Sequence, residues 1–188
     1  MKSCFTAVLC LFILVGPSDP AQALAVQGVV FVDNLQAGTA TLRLHNAGLL
    51  RYMKILKVYV AALYLPEGTG PEGALADVPK RLELSYLVPI KGGDFAKGAD
   101  PVLARNQSAA GLERLRSRIE RLHAAYRDVK PGDRYALTYL PGRGTELTLN
   151  GKALTLVEGA DFAAAYFGIW LGREPIDAKL KRELLEGR

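Results

Sequence analysis

Residues 57–65, Lys-Val-Tyr-Val-Ala-Ala-Leu-Tyr-Leu, constrain the fold more than any other segment. After the lysine every side chain is apolar or aromatic, and Pro66 ends the run. A short run of this kind reads as a strand buried on at least one face. Just before it lies residues 44–51, Leu-His-Asn-Ala-Gly-Leu-Leu-Arg, which end in Arg51. No acidic residue occurs between Asp33 and Glu67. A guanidinium keeps its proton, so a buried Arg51 needs an anionic or strongly polar partner. With no carboxylate nearby in sequence, a ligand is a candidate for that partner.

The surrounding segments repeat the strand signal. Residues 26–32 are rich in β-formers, and residues 39–44 alternate polar and apolar as a half-buried strand does. Asn46-Ala47-Gly48 suits a bulge or bend. Residues 66–71 are a loop by composition, and residues 81–88 alternate again until Pro89. The period then changes. Leu112, Leu115, Ile119, Leu122 and Tyr126 recur at three- and four-residue steps, one apolar stripe of a helix that Asp128 and Pro131-Gly132 close. Strands return at residues 134–140, 146–149 and 152–157, and Asn150-Gly151 between the last two is a strong hairpin signal. The tail is helical from residue 160, is interrupted by Gly172 and Pro175, and resumes at residues 177–185 with Asp177 as a capping residue. Adjacent strands predict an antiparallel sheet with helices over one face, an α+β layout.

The first residues read differently. Met1-Lys2 is a short basic start, residues 4–15 are uncharged and apolar, and Ala21-Gln22-Ala23 fits a small-x-small cleavage site. That is the layout of a secretory signal, expected to span residues 1–23, with a single domain over 24–188 in the periplasm or another exported location. The apolar run falls short of the about 20 residues of a membrane span, so no stable membrane insertion is expected after cleavage. An uncleaved anchor is the alternative. Cleavage removes Cys4 and Cys10, the two cysteines of the chain. With His45 and His123 the two histidines, metal sites built on cysteine or histidine are excluded, as is a Cys nucleophile. No cofactor is expected. The formal net charge of +5 favours acidic partners only weakly, and an exported chain without a binding motif is not expected to take nucleic acid.

Several chemical signals have bland readings that fit better. Gly142-Arg143-Gly144-Thr145 lacks the lysine and following helix of a phosphate loop and reads as a hairpin turn. Asp94 and Asp100 fall in a Gly- and Lys-containing stretch that reads as a loop with solvated acids. Arg114, Arg118 and Arg121 read as a solvated helix face with local ion pairs. Asn106 either caps a helix or points into a cleft. Arg51 and Tyr59 stand apart. Eight residues separate them, so in extended backbone they face one side of the sheet, unless a bulge intervenes. A guanidinium fork and a phenol together suit a carboxylate or a polarised carbonyl. The alternative is that Arg51 leaves the sheet for solvent or pairs with a distant acid.

These segments together resemble the chalcone isomerase-like superfamily, in particular its bacterial exported branch. The resemblance rests on residues 47–51, 57–66, 132–133, 139–145, 150–151 and 161–172, in that order and spacing, within a stretch from about residue 29 to 185. It implies an open-faced β-sandwich, a large antiparallel sheet covered by helices, with a cleft between them. It also implies a role for Arg51, which falls where plant chalcone isomerases hold the reacting oxygen of the flavonoid while a phenolate adds to an enone. Tyr59 replaces the threonine of those enzymes, and if Asn106 matches their asparagine, their tyrosine falls on Ala99. The fatty-acid-binding members carry an arginine–tyrosine pair that clamps a carboxylate, which Arg51 with Tyr59 resembles more closely.

The expectation is therefore an exported protein that binds a lipophilic carboxylate through Arg51 and Tyr59, with Asn106 at the cleft. A second reading is an isomerase or intramolecular lyase acting on a conjugated carbonyl, with Arg51 as the catalytic oxyanion stabiliser. A third is an accessory envelope protein whose cleft is filled by its own side chains. Oligomeric state is not legible.

Overall fold

Alternating apolar residues give each strand one dry face, and neighbouring strands extend that face by pairing side by side. The computed structural model describes residues 23–187, so residues 1–22 of the expected leader, with Cys4 and Cys10, lie outside the described residues, and Ala23, its expected last residue, opens the first strand. The elements are β1 (Ala23–Val26), β2 (Val29–Val32), β3 (Asn34–Ala37), β4 (Ala40–Tyr52), β5 (Leu56–Leu65), β6 (Lys80–Tyr86), α1 (Gly92–Asn106), α2 (Ala109–Ala125), β7 (Arg134–Leu140), β8 (Gly144–Leu149), β9 (Lys152–Val157), α3 (Ala160–Leu171) and α4 (Ala178–Leu185). Strands β3 to β9 form one antiparallel sheet in chain order, and β1 pairs with β2 in a separate hairpin. This is the expected α+β architecture, a large antiparallel sheet with the helices on one face.

Strand β5 is an interior strand, buried on both sides from Val58 to Leu65. Tyr59, Ala61, Leu63 and Leu65 join the core under the helices. Val60, Ala62 and Tyr64 join a second core, which the β1–β2 hairpin covers with Phe31 and Val29. Helix α3 is apolar nearly all round and is buried along most of its length, as a central helix must be. It touches α1, α2, α4 and β8. Arg118 of α2 forks onto Asp161 at the start of α3, with both contacts at 2.7 Å. Asp177 caps α4 by accepting from the Leu180 backbone N–H at 2.7 Å. At the β8–β9 turn, Asn150 and Gly151 take φ of 50° and 79°, the left-handed values that this pair of residues tolerates. No described helix is long and apolar enough to cross a membrane.

Helix α1 corrects the expected loop. Gly92, Gly93, Gly98 and Pro101 lower its intrinsic helicity. Ala99, Val102 and Leu103 nevertheless bury one face of it, and that packing outweighs propensity. Pro101 is exposed, so its ring does not disturb the buried side.

Helix α4 reaches β4 because Gly48 has no side chain. A Cβ there would lie 2.6 Å from Glu183 Oε2 and 2.8 Å from both Glu183 Cβ and Leu180 Cδ1. Glu183 Oε2 in turn accepts from the Leu49 backbone N–H at 3.1 Å. Lys80 is fully buried, donates to the Ala76 carbonyl, and lies 5.4 Å from the Tyr139 ring centre and 5.8 Å from that of Phe167. Burial lowers its pKa to about 8, against an opposing pull from Asp77.

Gly48→Ala is expected to lower the unfolding free energy by about 1–3 kcal/mol, read by chemical denaturation, because α4 must move to admit the methyl. Lys80 gives a pH signature. Its folded pKa lies below the roughly 10.4 of an unfolded lysine, so above pH 8 the unfolded chain binds more protons and stability rises with pH. Melting temperature should climb from about pH 8 to about pH 9.5, below the range where unfolded tyrosines ionise, and Lys80→Met should flatten that climb.

Candidate functional site

The inward side chains of β5 and β6 meet α1 and α3 around a cavity of about 160 Å³. Tyr59, Leu84 and Tyr86 rise from the sheet, Tyr166 and Trp170 come from α3, and Phe95 comes from α1. Leu50 and Val58 close one side. Asp94 and Gly98 are exposed, whereas Tyr59, Tyr86, Tyr166 and Trp170 are buried. The cavity therefore opens at the first two turns of α1 and is floored by aromatic rings.

The rings fix one another. Tyr59 and Tyr86 meet edge to face at 5.6 Å, Tyr86 and Phe95 at 5.7 Å, and Phe95 stacks on Tyr126 at 4.5 Å. Such pairs hold their geometry through the ring quadrupoles. The Trp170 indole N–H donates to the Tyr59 hydroxyl at 2.8 Å. That bond uses one lone pair of Tyr59 and leaves its own proton available to an acceptor. The hydroxyls of Tyr126 and Tyr166 are 3.1 Å apart. The Tyr86 hydroxyl makes no hydrogen bond that is seen among the described residues. Burial raises the pKa of Tyr59, Tyr86, Tyr126 and Tyr166, so all four remain neutral donors at physiological pH.

Among the described residues that line the cavity, Asp94 alone carries a formal charge, and it pairs with Lys97 at 2.7 Å. The cavity is thus an apolar space with phenolic donors and no cation. It can hold an apolar body and one hydrogen-bond acceptor.

The residues singled out from sequence are spread over three places. Tyr59 lines the cavity. Arg51 does not, and the expected common face with Tyr59 does not form. A bulge at Val58 shifts the β4–β5 register, so Leu50 pairs with Tyr59 but Arg51 pairs with Lys57. Lys57 reaches Gln27 of the β1–β2 turn at 2.6 Å, on the side of the sheet away from the helices. Arg51, its cross-strand neighbour, is half-buried on that same side. No hydrogen bond or ion pair of Arg51 is seen among the described residues, so neither a local nor a distant acid neutralises it there.

Asn106 is also absent from the cavity lining. It ends α1 rather than starting α2, whose cap is Ser108. Its amide donates to Val102 O at 2.9 Å and Glu174 O at 2.7 Å, and accepts from Glu174 N at 3.0 Å. It ties α1 to the α3–α4 link, which carries the cavity residue Ile176, and so acts as a positioning residue. Asp100 lies 3.7 Å from His123 and forms no pair with Asp94. Sequence reasoning missed Tyr86, Tyr166 and Trp170. Tyr86 had a signal, the inward parity of an aromatic in an alternating strand; the α3 pair had none, since that helix is apolar on all sides.

Comparison with known proteins places the fold. Residues 23–186 match a family described as chalcone isomerase-like. A crystal structure of a fatty-acid binding protein from Arabidopsis thaliana superposes with a TM-score of 0.67 at 15% identity, over 87% of this chain and 96% of that one. No curated protein matches the chain in sequence.

Tyr59→Phe is expected to leave the Trp170 indole N–H without its partner and to lower stability by about 1–3 kcal/mol. Trp170 is the single tryptophan, so its emission during denaturation reads the effect directly.

Proposed function

The chain belongs to the chalcone isomerase-like family, and from that premise we propose that it binds a small lipophilic molecule whose polar end meets the phenols of Tyr59 and Tyr86. The observation that carries this reading is the lining: an aromatic cavity with four tyrosines, Tyr59, Tyr86, Tyr126 and Tyr166, and no cation among the described residues of its wall. The fatty-acid binding protein of similar fold supports the ligand class. The cavity, at about 160 Å³, is smaller than the roughly 300–1,000 Å³ of a drug-sized site. It takes the polar end and the first carbons of a chain, and the remainder leaves past the half-buried rim residues Ile90 and Ile176.

A fatty acid held this way enters as the neutral acid. A carboxylate without a cation loses its hydration uncompensated, whereas a protonated carboxyl costs far less to bury. This differs from an Arg51–Tyr59 clamp, which would prefer the anion. The same lack of a cation weakens the isomerase reading, because a developing oxyanion would meet phenols alone. We further propose that the chain is exported under the direction of residues 1–23. Its support is the basic start, apolar run and small-residue cleavage pattern.

The test is a titration of the purified protein with decanoic acid and with decanol, followed by Trp170 emission. Decanoic acid is expected to bind up to about tenfold more tightly for each pH unit between about 7.5 and 5.5, while decanol binds with no pH dependence. Tyr86→Phe should weaken both by about three- to tenfold, and Arg51→Ala should leave both unchanged. Binding that is lost in Arg51→Ala, kept in Tyr86→Phe and flat with pH would return the site to an arginine clamp. No binding of either ligand would remove the proposal.

A further inference from the structure

The tip of the β4–β5 hairpin carries a second, independent feature. Tyr52, Met53, Ile55 and Leu56 are exposed at 64%, 75%, 85% and 50%. Single exposed apolar residues are ordinary on a protein surface, but four within five consecutive positions form a patch that needs an occupant. The turn also holds two successive non-glycine residues with positive φ, Met53 at 50° and Lys54 at 64°. Non-glycine residues adopt such values only at a cost, and Asn-Gly would fit the turn with less strain. The sequence instead keeps a long apolar and a long cationic side chain at the apex.

Charge identifies the occupant. Lys54 sits at the apex among the apolar side chains, Arg51 and Lys57 flank them in the two strands, and no acidic residue lies between Asp33 and Glu67 in sequence. We propose that this tip docks the protein peripherally on an anionic lipid surface. Met53 and Ile55 enter the boundary between headgroups and acyl chains, Lys54 at the apex meets the lipid phosphates, and Arg51 and Lys57 behind it add to the positive field. A second copy of the chain fits less well, since two such tips would bring six cations together with no carboxylate of the hairpin to match them. Leu50 and Val58, just behind the tip of the same hairpin, wall the cavity. Docking would therefore set the cavity beside the lipid from which an apolar ligand could enter. That last clause rests on the ligand reading; the docking itself does not.

The test is flotation of the full chain with vesicles of phosphatidylcholine alone and of phosphatidylcholine with phosphatidylglycerol. Any contribution from residues 1–23 is common to the wild type and its variants. The wild type is expected to bind the anionic vesicles at least about tenfold more strongly than neutral ones, with a steep loss at high salt. Met53→Ser combined with Ile55→Ser should reduce that binding about tenfold or more, and Lys54→Glu should remove the preference for phosphatidylglycerol. Unchanged Trp170 emission would show that the variants are folded. Equal binding by wild type and variants would overturn the proposal. So would sedimentation as a dimer that the double variant converts to a monomer, which would give the tip to a second copy. The decanol titration without vesicles should be the same for the double variant and the wild type, so failure of docking and failure of ligand binding are read separately.

Discussion

Strand β5 has apolar side chains on both faces, and the rest of the molecule is arranged to keep water from each. One face of a strand can be dried by a single layer, but two dry faces require two. On one side Tyr59, Ala61 and Leu63 join the buried side chains of α3 and α4 in the larger core. On the other, the β1–β2 hairpin brings Phe31 over Val60, Ala62 and Tyr64. Arg134 extends across this second layer, 4.9 Å from the Phe31 ring, and its guanidinium reaches Glu83 and the Val30 carbonyl. The buried carboxylate of Glu83 is shared with Arg81 at 3.0 Å, so the charge beneath the hairpin is paired rather than stranded.

The same double burial explains the cavity. Bulky rings from two strands and two helices cannot fill the sheet–helix space without remainder, because ring pairs hold edge-to-face and offset spacings. Tyr59 fixes where the remainder lies. Its hydroxyl is tied to Trp170, its ring leans on Tyr86, and both partners line the space. The space is therefore a by-product of core packing, walled by the tyrosines that pack around it.

Much of this was legible in the sequence where a period could be counted. The alternation of residues 81–88 and 134–140, the stripe of α2, the Asn150-Gly151 turn and the interruption at Gly172 each appear where expected. Helix α1 was not legible, because three glycines and a proline hide a stripe of only three buried residues, Ala99, Val102 and Leu103. The site was half legible. Tyr59 lies in the cavity as the inward member of a dry strand, but the position of Arg51 depended on one residue. Period-two counting assigns faces only while each strand advances in step with its partner. Asn46-Ala47-Gly48 announced the irregularity after Leu44 by composition. Val58 announced nothing, since a valine is as much at home in a regular strand as in a bulge.

That single inserted residue also separates two chemistries that the hairpin would otherwise mix. With Val58 and Tyr59 both turned toward the helices, Arg51 and Lys57 fall to the outer side and Tyr59 to the inner. A guanidinium in the aromatic cavity would have had to be balanced by a bound anion at all times, or have opened the space to water. Placed outside, it costs little when unoccupied and adds to the field of Lys54 and Lys57. The inner space is left lined by aromatic and aliphatic side chains, with no cation among the described residues of its wall. The bulge thus divides the strand pair into an apolar wall on one side and a cationic edge on the other, so that burying the first does not desolvate the second.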